Sequence, residues 1–325
     1  MSAFEKWRSG AELGALLPGY DPASLRRALT RLERATLLER RGRRRRIETA
    51  HDSWAGWNPA AGFLHFSTKD LAYAAADVAD RPMERKARSV AMPPAIKRAP
   101  RSRLRVALPE PKGQGEFPQV LRARRTWRRF SREPVALADL ATLLGLTFGV
   151  QDWMDAGLHG RLALKTSPSG GARHPLEAYV LARRVKGLAP GLYHYEPDRH
   201  RLALLKKGAA AGQIVRYLPT QWWYGDASAL FLVTAVFPRS QWRYEFPRAY
   251  RAVLIEVGHL CQTLLLTATW LGLAPFCSMA LADSRIERDL GVDGVAESVL
   301  YAAGVGARPR GVASAPRPPR RRRKS

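Results

Sequence analysis

The residues best suited to chemistry lie at 167–180, SPSGGARHPLEAYV. Pro168 fixes φ, while Gly170 and Gly171 reach backbone angles that a Cβ would forbid. A glycine pair also lets a flat ligand lie close to the main chain, whose N–H groups can then donate to it. Pro175 interrupts the regularity, and residues 176–181 resume as an apolar run of strand length. This is a glycine-rich loop feeding a strand, and on the residues alone a plain surface turn fits equally well.

Charge is the second conspicuous feature. The 325-residue chain carries 54 Lys and Arg against 28 Asp and Glu, a net charge of +26. Such a balance speaks of partners and solubility, not of fold. Two blocks concentrate it, residues 40–46 (RRGRRRR) and 317–324 (RPPRRRRK). Both suit nucleic acid, an anionic membrane surface or an acidic peptide. Neither has interleaved aromatics for base stacking, which weighs against nucleic acid and favours solvated ends. Two cysteines, Cys261 and Cys277, sit in apolar text, offer no zinc spacing or disulfide framework, and fit a reducing, cytoplasmic compartment. The first residues lack a basic stretch followed by a long apolar core, so no signal peptide is expected.

The elements that must position the loop follow from periodicity. Residues 12–47 read as a small helical unit, with Asp21 as N-cap, Pro22 at the first helical position, and Leu25, Leu29 and Leu32 at helical spacing. With an arginine-rich pair of short strands it would form a winged-helix-like module over residues 1–53, serving either DNA or leader-peptide binding or a purely structural role. Residues 54–69 (WAGWNPAAGFLHFSTK) are aromatic-rich and expected to pack on a larger body. A proline-studded basic linker extends the 54–115 region to a boundary near residue 115. A main domain is expected over 116–310, followed by a disordered basic tail at 311–325. Within the main domain the pattern predicts a helix over 135–149 and strands over 178–183, 191–195, 202–205, 229–237 and 299–305. The segment 250–271 reads as a long helix apolar nearly all round. Its uncharged continuation is long enough to cross a bilayer. His259, Gln262 and Thr263, and the break at 272–275, argue instead for a buried core helix.

Four segments together resemble the nitroreductase-like flavoproteins, and within them the SagB-type thiazole/oxazole dehydrogenases: RRTWRRF at 124–130, SPSGGARHPLEAY at 167–179, GLYHY at 191–195, and RAYRAVLIEVGHLCQTLLLTATWLGL at 248–273. The WNPAAGFLHFSTK stretch is similar to the segment that precedes the flavin domain in that group. The resemblance implies an α+β, nitroreductase-like FMN-binding fold: a central sheet flanked by helices, a long buried central helix, and the small N-terminal module. It also implies a homodimer with flavin at the interface. Carried over by motif position, Arg124, Arg125, Thr126 and Arg128 would hold the FMN phosphate and ribityl chain through charge-assisted bonds. Pro168, Ser169, Gly170 and Gly171 would lie against the ring. Gly306 and Arg308 resemble the family's terminal glycine-plus-base segment, with Arg308 as a further phosphate ligand. In this reading the cofactor nests where the double-glycine bend meets the paired guanidiniums.

The implied reaction is oxidation of a peptide azoline to an azole, with a cyclodehydratase as a partner that prepares the substrate. The family's catalytic Lys-Tyr pair corresponds here to Arg243 and Tyr244. A guanidinium stays protonated and accepts no proton, so Arg243 would orient substrate or stabilise an anion, leaving Tyr244 or Glu245 for proton transfer. That departure keeps a second reading open, an NAD(P)H-dependent nitro- or quinone-reductase-like flavoenzyme with a small-molecule substrate. A third, of another class, is a nucleic-acid- or peptide-binding module with the flavin domain as sensor. His259 is expected to be a buried, hydrogen-bonded core residue and His174 a cap of the turn. Neither has ligand spacing with another histidine or cysteine, and no metal is expected.

Overall fold

The protein is described from a computed structural model, which covers residues 8–34, 53–73, 108–210 and 212–311, with 38, 78, 85–86, 88–90 and 95–96 as isolated positions. The arginine block at 40–46, the expected wing strands, most of the basic linker and the tail from 312 onward lie outside the described residues.

The N-terminal helical region is present. Helix α1 (Gly10–Leu16) opens on a capping box in which the Ser9 hydroxyl accepts from the Glu12 N–H while Glu12 accepts from Ser9 N–H. In α2 (Pro22–Arg34) the Asp21 carboxylate accepts from the N–H groups of Ala23 and Ser24, the N-cap that Asp21-Pro22 predicts. Helix α3 (Asn58–Ser67) follows a single 3₁₀ turn at Ala55–Trp57, and α4 (Glu116–Ala123) opens the main domain.

A six-stranded antiparallel sheet forms the centre. Its strands, in chain order, are β4 (Leu176–Ala182), β6 (Gly191–Glu196), β7 (Arg201–Lys207), β8 (Ala229–Val236), β9 (Ala274–Ser278) and β10 (Glu297–Gly306), in the spatial order β7-β6-β4-β8-β10-β9. Two short pairs lie outside it: β1 (Val135–Ala136) with β5 (Val185–Lys186), and the hairpin of β2 (Asp152–Asp155) with β3 (Arg161–Leu164). Alternation along β4 divides the core. Ala178, Val180 and Ala182 face α5 (Leu137–Phe148) and the long α8 (Ala249–Trp270), whereas Tyr179 and Leu181 face α6 (Gln213–Tyr217) and α9 (Asp283–Leu290). The remaining helix, α7 (Phe237–Gln241), leaves β8 directly.

Helix α8 is long and apolar enough to cross a membrane, but 56% of its apolar window is buried inside the protein, where Val253, Val257, Leu264 and Ala268 join the core. Its remaining face is exposed. His259 lies on that face, which corrects the expectation of a buried core histidine. An apolar-all-round sequence gives no moment to say which side turns inward, so the error was built into the pattern.

The aromatic segment at 54–69 packs on the main body as anticipated. Trp54 stacks on His65 at 5.0 Å and meets Phe237 edge-on at 4.8 Å, while Trp57 is completely buried. Lys69 then bridges both oxygens of the buried Glu287, at 2.6 and 2.7 Å. His65 Nδ1 lies 3.0 Å from the Tyr250 hydroxyl, and burial pushes its pKa down to about 3. A histidine held neutral inside the fold takes up its proton more readily when unfolded. The protein should therefore lose stability as pH falls from about 6.5 toward about 3. Urea denaturation between pH 7 and 4.5 should show a flatter profile for His65→Gln than for the wild type; parallel slopes would remove His65 from the acid sensitivity.

Candidate active site

The loop at 167–174 is fastened to one face of α8 at two points. The Ser167 and Thr263 hydroxyls lie 2.9 Å apart, and the Gly170 N–H donates to Glu256 Oε1 at 2.8 Å. The two helix residues are separated by seven positions, two turns, so they share a side of α8. Burial raises the Glu256 carboxyl, and the hydrogen bonds from Gly170 and Ser169 pull it back. Gly171 adopts φ 60° and ψ 27°. A Cβ there would stand 2.7 Å from Arg243 Cδ and from the Tyr244 hydroxyl, which is why this position is glycine. Ala172 (φ 50°) and His174 (φ 42°) also take left-handed backbone angles, a strain concentrated on this loop.

The double glycine and the Arg243–Tyr244 pair are thus brought into contact although they lie over 70 positions apart. The Arg243 guanidinium sits 5.7 Å from the Tyr244 ring centre. Glu245 is not part of this cluster; its Cα, Cβ and Cγ lie against Gly56, and the residue is exposed. The segment bearing Tyr244 is held from behind by the aromatic clamp: Trp57 Nε1 donates to the Tyr244 carbonyl at 2.9 Å, and Gln241 donates to the Ser53 carbonyl at 2.7 Å. On the loop's far side, Arg239 donates to the His174 carbonyl at 3.0 Å, and Arg173 lies 4.7 Å over Trp242.

Most of the loop's own donors are engaged internally. Besides the Gly170 N–H, those of Ala172, Arg173 and His174 go to the Ser169 carbonyl, the Gly170 carbonyl and the Ser169 hydroxyl. Among the described residues the N–H groups of Ser169 and Gly171 meet no acceptor. His174 Nε2 is 2.9 Å from the Ala163 carbonyl, and burial with the nearby Lys165 charge lowers its pKa to about 4.

The arginines gather elsewhere, around β9. Trp127 N–H donates to the Pro275 carbonyl, and Arg308 donates to the Leu273 carbonyl at 3.0 Å with its guanidinium 5.1 Å over Trp127. Arg128 lies beside Tyr224, countering the upward effect of burial on that phenol, and Arg124 lies near enough to Cys277 to help lower its thiol after the bond from Cys261. Thr126 is half-buried between them. Arg125 instead folds back on the end of α4, donating to the Arg122 and Arg124 carbonyls at 2.8 Å. Gly306 admits the Phe130 ring, which a Cβ would meet at 2.6 Å. Within one chain the loop and this cationic cluster are not joined. Gly170 is anchored at Glu256 and Arg308 beyond Trp270; over the intervening 14 positions of α8 the helical rise separates those anchors by roughly 20 Å.

Comparison with known proteins decides the family. The Nitroreductase family model matches residues 121–307, which takes in the arginine segment, the loop, α8 and β10. The chain belongs to the nitroreductase family. It is an oxidoreductase of that superfamily, with the α+β fold described above. A nitroreductase-named protein of Methanocaldococcus jannaschii is 32% identical over 171 residues, 53% of this chain and 82% of that protein. The trifolitoxin-processing protein TfxB of Rhizobium leguminosarum bv. trifolii is 31% identical over 173 residues, 52% of this chain. The match spans only 46% of TfxB. Among solved structures, one chain of the Escherichia coli microcin synthetase McbBCD complex aligns with TM-score 0.57 at 17% identity, covering 79% of this chain and 97% of that one. A nitroreductase structure from Anabaena variabilis aligns with TM-score 0.51 at 24% identity, covering 59% of this chain and 38% of that one. These structural likenesses establish the fold.

Sequence reasoning named the loop, the arginines and the Arg243–Tyr244 pair. It missed Glu256 as the loop's acceptor, although the residue stood inside the quoted helix motif. It also missed Trp57, whose indole reaches the Tyr244 carbonyl. The two glycines should differ sharply on substitution. Gly171→Ala, strained in φ and clashing with Arg243 and Tyr244, should cost ~1–3 kcal/mol in urea denaturation. Gly170→Ala, whose Cβ would meet Glu256 and Tyr244 only at 3.5 and 3.7 Å, should cost well under that. Equal costs would show that the pair does not close on Gly171.

Proposed function

We propose that this protein is an FMN-dependent dehydrogenase of SagB type that oxidises an azoline in a peptide-derived substrate to an azole. The observation that carries the reading is the closure of Arg243 and Tyr244 on the Gly170–Gly171 bend, which sets a proton-handling side chain against a glycine loop. Its likeness to a trifolitoxin-processing protein supports a peptide as substrate.

The donor set fits FMN. Arg124, Arg128 and Arg308, with Thr126, supply cations and a hydroxyl for a phosphate dianion, and Ser169 and Gly171 supply N–H groups for a polar ring edge. Bound there, FMN would supply a two-electron acceptor for hydride. The chain's own residues would do the rest. Tyr244 can both accept and donate a proton, whereas Arg243 can only donate, so Tyr244 handles the proton lost from the azoline and Arg243 orients the substrate. The removed hydride and proton together account for the two hydrogens that separate azoline from azole.

The same geometry supports a homodimer. A ligand that needs both the loop and the cationic cluster finds them together only if a second copy supplies one of them. The exposed face of α8 supports such a contact: Leu254, Ile255 and Trp270 are 41%, 59% and 47% exposed on a helix whose opposite face packs in the core.

Arg243 in the lysine position, together with the nitroreductase-named relative matched over most of its length, favours a second reading as an NAD(P)H-dependent reductase of small molecules. Stopped-flow spectroscopy separates the two. The dehydrogenase reading expects an azoline peptide to bleach the flavin and NAD(P)H to do so at least tenfold more slowly. Tyr244→Phe, with flavin content unchanged, should depress azoline turnover by ~10²-fold or more. Unchanged turnover would remove Tyr244 from the reaction, and fast bleaching by NAD(P)H alone would favour the reductase.

A further inference from the structure

On the sheet face opposite α8, a polar cluster interrupts an otherwise apolar surface. Glu177, Tyr179, His194, Thr234 and Glu297 come together there from four strands. Glu177 is fully engaged, one oxygen 2.8 Å from His194 Nε2 and the other accepting from Arg239. Glu297 accepts from the Tyr179 and Thr234 hydroxyls, at 2.9 and 2.5 Å. Burying so many polar groups costs stability unless each is matched, and these match one another.

The β2–β3 hairpin covers the cluster and leaves a cavity of about 540 Å³, within the range of small-ligand sites. Lys165, at the exit of β3, projects into the lining and is half-buried. It differs from every other cation there. Among the described residues no carboxylate lies within ion-pair distance of its ammonium, and no acceptor bonds it. Arg239 is held by Glu177 and the His174 carbonyl, Arg173 by the Arg239 carbonyl and Trp242, and Arg161 lies 5.1 Å over the Trp153 ring at the cavity's rim. Two acids at the rim, Glu196 and Asp198, are paired with Arg201 and Arg199. The carboxylate whose charge reaches it, Glu177, has both oxygens committed, so among the described residues the lysine has no counter-charge of its own.

We propose that this cavity is a carboxylate-binding subsite, in which Lys165 pairs with the carboxylate of a peptide or small organic acid and Arg161 and Trp153 flank the entrance. Lys165 shows the matching electrostatics: burial lowers its pKa, and the neighbouring Glu177 only partly offsets that. A bound carboxylate would supply the missing negative charge, and one singly charged group fits one unpaired ammonium. The cavity shares Ala172, Arg173 and His174 with the glycine loop, so its occupant would lie next to the residues assigned to oxidation. The subsite stands or falls independently of the flavin reading.

Saturation-transfer NMR on the full-length protein tests it, with acetate, acetyl-trialanine bearing a free carboxylate, and the same tripeptide amidated. Both acids should bind, and the amide at least tenfold more weakly. Lys165→Gln should weaken the acids at least tenfold, while Lys165→Arg, which keeps the charge, should stay within about threefold. A tripeptide held more than tenfold tighter than acetate identifies a peptide as the source; equal affinities identify a small acid. The proposal is overturned if neither acid binds, if the amide binds as well as the acid, or if Lys165→Gln, melting like the wild type, binds the acids unchanged.

Discussion

The arrangement depends on one hydrogen bond, from the Gly170 N–H to the buried Glu256 carboxylate on α8. A carboxylate is a costly group to enclose, as the raised Glu256 pKa records, and it is tolerated because the loop presents donors to it. With the loop fastened there and at Thr263, Gly171 is fixed in a left-handed conformation directly beneath Tyr244. Everything assigned to chemistry in this half of the site is positioned from that point.

The other side of the same contact is set by the aromatic clamp. Trp57 holds the Tyr244 carbonyl, Trp54 donates to the Val295 carbonyl at 3.0 Å, and His65 meets Tyr250 on the first turn of α8. Residues far from the family-matched region, at 54–69, thereby determine where Tyr244 stands. Truncating an apparent N-terminal appendage would disturb the centre of the site, because the clamp is part of the core.

Strand β8 and helix α8 were legible in the sequence because long unbroken periodicity leaves few alternatives, and the loop because proline and glycine restrict or free φ in known ways. The cluster of Glu177, His194 and Glu297 was not, since its members are drawn together only by strand order, which no local pattern encodes. His259 failed for a related reason: with apolar residues on every side of α8, exposure is decided by what packs against it. The separation of the loop from the arginines was hidden too. Motifs proposed to serve one site read as if they belonged to one place in the chain, and the rise along α8 sets them apart.

That separation makes the account's central claim open to a direct measurement, flavin stoichiometry in hybrid dimers. Arg124→Ala/Arg128→Ala chains and Gly171→Val chains, each unable to hold FMN alone, would be co-refolded with different affinity tags and the doubly tagged species isolated. The account predicts one FMN per hybrid dimer, because one site inherits intact arginines from one chain and an intact loop from the other. A verified hybrid dimer that binds no FMN, while the wild type binds two, would contradict it.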